Sequence, residues 1–198
     1  MSATIYIEGG GDSKELHTRC REAFHKLLSR CGFSGRMPQL VACGRRETAY
    51  RDFKIAHASA RGAYVAMIVD SEDPVANVNE TWAHLAVRDK WAKPDGADDE
   101  QVFLMVTCME TWIVSDHETL AGHYGQQLQV SALPALSDLE TRARDDIQGA
   151  LSHATRTCAN AYRKGKRSFE VLGKLNPETL EAHLPSFKRM RVVLGNRL

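Results

Sequence analysis

Carboxylates stand at three places where an apolar run stops. Glu8 closes Ile5-Tyr-Ile, Asp70-Ser-Glu72-Asp73 follows the run 63–69, and Glu110 follows the run 101–108. A further acid, Asp12, lies beyond three glycines in the stretch Glu8-Gly-Gly-Gly-Asp12. Carboxylates gathered at low dielectric repel one another unless a cation or basic side chains sit among them. Oxygen donors suit hard divalent ions such as magnesium, manganese or calcium better than zinc. Glu8, Asp12, Asp70, Glu72, Asp73 and Glu110 are therefore the candidate metal ligands. Each also has a plainer reading as a helix cap or solvated loop acid. Asp12 reads as a ligand or as the cap of the helix behind it, where the dipole favours an acid, and Glu110 as a ligand or as the partner of an arginine or a neighbouring helix.

Basic residues supply the other half of a phosphate chemistry. Arg45 and Arg46 follow the second apolar run, where they neutralise the acids or grip a phosphate with the guanidinium fork. Arg163-Lys-Gly-Lys-Arg167 sets four cations in five residues, and Lys164, Lys166 and Arg167 are candidates for meeting nucleic-acid phosphates, against the ordinary reading of a solvated charged face. Lys188, Arg189 and Arg191 form a second basic group. Trp82, Trp91 and Trp112 are available to stack on bases or to anchor packing, and packing is favoured for Trp112. The glycine stretch has neither the G-x-G-x-x-G order of a dinucleotide loop nor the G-K-[ST] of a phosphate loop, and Asp12 would repel a phosphate there. The histidines show no H-x-H or H-E-x-x-H grouping, which leaves zinc catalysis unsupported.

The elements that must position these groups follow from the hydrophobic pattern. Residues 3–8, 38–43, 63–69 and 101–108 read as four short strands. The third is near-continuously apolar, the mark of a strand covered on both faces and hence of a parallel sheet. Between the strands lie a helix opened by Asp12 or Ser13 and stopped at Gly32, a second from Glu47 to Ala60, and a short one around Glu80–Asp89. In such a sheet the functional crevice lies outside the carboxyl ends of the strands, which is where the acids fall. After Gly125 strand signals vanish, and helices are expected over 138–162, 168–175 and 177–184. The expectation is an α/β fold: a parallel sheet of about four strands flanked by helices over residues 1–125, with a basic helical extension, 126–198, packed on it.

With 198 residues, 43% hydrophobic and 26% charged, composition names no function. The charge is divided. Residues 1–125 hold 14 Lys/Arg against 18 Asp/Glu, net −4, and residues 126–198 hold 12 against 7, net +5, which suits metal at one end and a polyanion at the other. Five scattered cysteines without a C-x-x-C pair argue for reduced, buried thiols. No apolar run approaches a membrane span and no secretory leader is visible, so a cytoplasmic protein is expected.

The stretch Ile-Glu8-Gly-Gly-Gly-Asp12 after one strand and Val-Asp70-Ser-Glu72-Asp73 after another resembles the Toprim domain of topoisomerases, primases and OLD-family nucleases. In that resemblance Glu8 matches the glutamate of the first strand, Asp12 the following acid, and Asp70 with Glu72 the D-x-D pair in a D-x-E form. Asp73 stands as the alternative second acid. The later Cys-Met-Glu110-Thr-Trp112, Gly-Arg45-Arg46 and Tyr162-x-Lys-Gly-Lys-x-Ser-Phe169 are similar to stretches in a group of small bacterial Toprim-like proteins of unknown function. The Toprim likeness covers roughly residues 1–125 and the second nearly the whole chain. It implies a nuclease in which Glu8, Asp70 and Glu72 are catalytic and hold magnesium or manganese to cleave phosphodiester bonds of DNA or RNA. A bacterial phage-defence or mobile-element setting with a separate ATPase partner is implied too. The alternative is a non-catalytic Toprim-fold binding partner, or a regulatory subunit of an ATPase, whose acidic crevice receives an arginine-rich surface.

Overall fold

A computed structural model describes residues 3–198. Four strands, β1 (Ala3–Gly10), β2 (Gln39–Gly44), β3 (Tyr64–Asp70) and β4 (Val102–Met105), form one sheet in the order β2-β1-β3-β4. Every pairing is parallel. Helices α1 (Lys14–Leu28), α2 (Arg46–Ser59) and α3 (Thr81–Asp89) lie between the strands. After β4 come α4 (Met109–Val114), α5 (His117–Tyr124), α6 (Arg144–Thr155), α7 (Lys166–Leu172), α8 (Pro177–His183) and α9 (Pro185–Arg197). The α/β class, the four parallel strands and the C-terminal helices expected from the sequence are all present.

The sheet separates two apolar layers. Ile5, Ile7, Ala66, Ile68, Phe103 and Met105 point to a layer that contains Phe24 of α1, Trp112 of α4 and Phe187 of α9. Val65, Met67, Val69 and Leu104 point to the other, with Tyr50 and Phe53 of α2 and Trp82 and Leu85 of α3. Every residue of β3 is buried, which is why its sequence is apolar throughout rather than alternating. Residues on both sides of position 125 share the first layer, joined through Trp112, whose ring meets Phe24 and Phe187 edge-on at 6.3 and 5.0 Å. Trp91 stacks on Tyr50 at 4.4 Å, and Trp82 meets the same tyrosine at 6.3 Å. All three tryptophans therefore pack internally.

Two differences from the sequence reading concern the C-terminal segment. The helix expected over 138–162 is confined to Arg144–Thr155, preceded by a single turn at Leu139–Thr141. The longest helix of this segment, α9, was not foreseen, because Pro185 directly after Leu184 reads as the end of a helix. It is instead the first residue of the next one, where its missing N–H costs nothing. The two arginines of the second basic group are consequently partly buried and tied to the protein, while Lys188 stays exposed. Arg189 donates to the carbonyls of Val102 (3.0 Å) and Asp99 (2.6 Å) along the β4 edge, and Arg191 pairs with Glu181 at 2.5 Å. Among the described residues no helix is long and apolar enough to cross a membrane. All five cysteines are buried and unpaired, and burial pushes the Cys20 thiol up to about 12.

Candidate metal centre

β1 ends in a bulge that places Glu8, Gly9 and Gly10 all opposite Gly44. Gly44 adopts φ +73°, and a Cβ there would lie 2.3 Å from the Gly11 carbonyl oxygen. Only glycine allows the two loops to touch. The turn fixes Glu8 at the sheet's carboxyl end, where one carboxylate oxygen accepts the backbone N–H of Asp70 at 2.9 Å. Asp70, the last residue of β3 and only 5% exposed, accepts the backbone N–H of Met109 at 2.8 Å. Beyond β3 the chain continues beside the end of β4, with Ser71 N–H donating to Met105 and Glu72 N–H to Thr107. Glu72 holds a left-handed backbone, φ +68°, unusual for a residue with a Cβ. That turn sends its side chain back to the strand ends.

Ligand atoms of Glu8, Asp70 and Glu72 all lie within 4.8 Å of one another. Burial holds the carboxyl of Asp70 well above the usual carboxylate range, and the neighbouring Glu8 and Glu110 push it further the same way. Burial also raises Glu8, against the opposing pull of Arg46. One buried carboxyl and two partly buried ones beside it favour a proton or a cation, which is the property expected of an oxygen-donor metal site.

Arginines frame the cluster. Arg46, 7% exposed, pairs with Asp89 at 2.6 Å, lies over the Trp91 ring at 4.9 Å, and brings Nη1 to 3.8 Å from Glu8. That Nη1 is buried without a hydrogen-bond partner. Glu72 pairs with Arg144 and stands 3.9 Å from Arg88, which also binds Asp73 at 3.2 Å and contacts Asp89. Arg144 opens α6, and neither it nor Arg88 was a candidate from sequence. Both belong to segments distant in the chain, where an isolated arginine carries no pattern.

The remaining candidates lie elsewhere. Asp12 is carried to the surface by three successive positive-φ glycines and pairs with Arg45 at 3.3 Å, with both side chains more than 70% exposed. Ser13, not Asp12, caps α1. Asp73 is exposed on Arg88, so Glu72 is the acid that joins Glu8 and Asp70. Glu110 is completely buried, but its oxygens take the Tyr162 hydroxyl and the Gln148 amide (3.2 Å), and it stands outside the three-acid group. Its position is the second of the two readings, a carboxylate that ties helices together. Nothing in the sequence around Tyr162 marks it for this role, which depends on tertiary packing against Glu110.

A cavity of about 320 Å³ opens beside the acids. Its lining includes Glu8, Asp70 and Glu110, the apolar Met105, Met109, Leu16 and Phe169, and Lys164 and Gly165. Lys164 is exposed and makes no ion pair within 4.0 Å among the described residues, yet its charge acts on both Glu8 and Asp70. Lys166 instead lines a groove between α1 and α7, and Arg167 donates to the Ala161 carbonyl at 3.3 Å, bracing its own loop. Of the basic candidates, Arg46 and Lys164 face the acids.

The sequence profile of a family described as a domain of unknown function, DUF4276, matches residues 7–194. Neither a curated protein nor a solved structure matches the chain.

Proposed function

We propose that this chain, which belongs to the DUF4276 family, is a divalent-metal-dependent nuclease cleaving phosphodiester bonds of DNA or RNA. The observation that carries this reading is the meeting of Glu8, Asp70 and Glu72 within 4.8 Å at the carboxyl ends of parallel strands, in the positions that the Toprim resemblance implies. The donor set fits magnesium or manganese: three carboxylates, with no nitrogen or sulfur among them. When bound, such an ion supplies Lewis acidity toward a phosphoryl oxygen and makes a water more acidic.

The chain's own groups do the rest. Glu8, Asp70 and Glu72 hold the ion. The Asp70 N–H and the Met109 N–H fix two of these carboxylates in place before anything binds. Arg46 is itself locked by Asp89 and Trp91, so it is a rigid positive neighbour for Glu8. Arg144 at Glu72 and Lys164 in the cavity lining are the cations positioned for phosphate oxygens.

Cleavage of labelled DNA and RNA in magnesium and manganese tests the reading, with Glu8→Gln and Asp70→Asn as the variants. Loss of metal-dependent cleavage in both supports it, and unchanged cleavage in both overturns it. A second reading draws on the Glu72–Arg144 pair: a crevice that already accepts an internal arginine suits a binding partner with an arginine-rich surface. Calorimetry showing no ion uptake at millimolar magnesium or manganese would favour it.

A further inference from the structure

Resting on the nuclease reading, we infer that the cavity beside the acids receives the base of one unpaired nucleotide, so that the substrate class is single-stranded nucleic acid. The cavity is lined by two chemistries: the carboxylates of Glu8, Asp70 and Glu110 with Lys164, and the apolar side chains of Met105, Met109, Phe169 and Leu16, of which Met105 and Met109 stand beside Asp70. A nucleotide has the same division, an anionic phosphate joined to a flat apolar-faced base. With the phosphate beside the acids, where Glu8 and Asp70 would hold a cation and Lys164 adds a positive charge, the base has the apolar part of the lining to occupy. Thioethers and an aromatic ring are polarizable surfaces that accept the face of any base, which gives binding without sequence preference.

Size decides between single strand and duplex. At about 320 Å³ the cavity lies at the small end of ligand pockets, roughly 300–1,000 Å³, room for a single small unit. Bases in a duplex are stacked inside it and present only their edges in the grooves. A base reaches a pocket of this kind only from a single strand, or by flipping out at the cost of unstacking. Leu16 lines the cavity between two loops: its methyls stand about 3.7 and 3.9 Å from where Cβ atoms on Gly11 and Gly165 would lie, so it bridges the glycine turn and the Lys164 loop. Leu16 is partly exposed on the first turn of α1, so it accepts a larger side chain more readily than a core position does.

Binding separates this inference from the nuclease reading, because it needs no cleavage. Full-length wild-type protein, with calcium in place of magnesium so that the acids keep an ion, is titrated by fluorescence anisotropy into a labelled oligonucleotide in three forms: single-stranded, blunt duplex, and single-stranded with abasic residues throughout. The single strand is expected to bind at least tenfold more tightly than the duplex, and removal of the bases to abolish most of that preference. Leu16→Trp fills part of the cavity and lowers single-strand binding about tenfold with little effect on the duplex. Leu16→Ala leaves the preference in place and shows that any loss in the tryptophan variant comes from filling, with melting curves confirming that both fold. Equal binding of single strand and duplex, or an abasic strand bound as well as its parent, overturns the inference even if wild-type protein cleaves duplex DNA. Single-strand preference sustains it even if no cleavage is found.

Discussion

The Glu8 carboxylate accepts the backbone N–H of Asp70 at 2.9 Å, so the end of β1 is tied to the end of β3 by one of the acids that defines the site. Geometry and charge oppose each other here. The hydrogen bond holds Glu8 in place, yet it brings a partly buried carboxyl against the buried Asp70, and both are shifted toward the protonated form by burial.

Asp70→Asn should therefore stabilise the metal-free protein while removing its response to metal. The amide oxygen still accepts the Met109 N–H, and the uncompensated buried charge is gone. Thermal melts at neutral pH should show a higher midpoint than wild type without added ions. Magnesium or manganese should raise the wild-type midpoint and leave that of the variant almost unchanged. An equal ion-induced shift in both proteins would remove Asp70 from the ligand set.

Arg46→Ala should act mainly on stability. The substitution leaves Asp89, whose side chain is 8% exposed, without its 2.6 Å partner, and strips the cation from the Trp91 face. Breaking a buried pair from one side costs about 3–5 kcal/mol, and Arg88, which still holds Asp89, keeps the loss at or below the lower end. Urea titration measures the loss, and the double variant Arg46→Ala/Asp89→Asn should recover part of it because the buried carboxylate charge is gone. A loss below about 1 kcal/mol would contradict the buried-pair role and leave phosphate contact as the function of this arginine.

The sheet and the acids on it were legible in the sequence because both are local signals. An apolar run without alternation gives a buried strand, and an acid at its end marks the carboxyl edge. What turns a side chain toward or away from the crevice was not legible. Asp12 leaves the site because Gly9, Gly10 and Gly11 take φ of +134°, +90° and +52°, and residue type announces the freedom of glycine without its direction. Glu72 enters the site through a φ of +68° that a glutamate gives no reason to expect. Arg144, Arg88 and Tyr162 reach the acids only through tertiary packing, and Arg189 and Arg191, which read as a basic patch, are consumed by β4 and α8.

Glu140 makes the fold sensitive to pH at a place away from the acids of the crevice. Its carboxylate accepts the Ser186 N–H at 3.1 Å and the Ser186 hydroxyl at the start of α9, and burial lifts its pKa to about 7. A raised carboxyl takes up a proton on folding. Its contribution is therefore most favourable at low pH and is lost as pH climbs from the unfolded value of about 4.3 through 7. Stability should fall by up to about 3 kcal/mol over that window on this account. Glu140→Gln keeps an acceptor for the helix N–H and should flatten this part of the curve, measured by urea titration between pH 5 and 8. The same slope in both proteins would assign the pH dependence to other groups.

Arg144 competes with metal for Glu72. The guanidinium pairs with that carboxylate, and Glu72 is partly exposed, at 14% for the side chain against 17% for Glu8 and a nearly buried Asp70, so the ion that joins Glu8 and Asp70 must share Glu72 or displace the arginine. Arg144→Gln removes the competitor while keeping a polar side chain at the start of α6. Manganese should then bind several-fold more tightly by calorimetry, with Arg88, 3.9 Å away, limiting the gain. If the arginine also meets a phosphate oxygen, as its fork suits it to do, cleavage should slow in the same variant. Tighter ion binding together with slower turnover would identify Arg144 as a residue that gives up Glu72 to the metal and takes the phosphate instead, whereas unchanged ion affinity would show that its pairing with Glu72 does not compete with the metal.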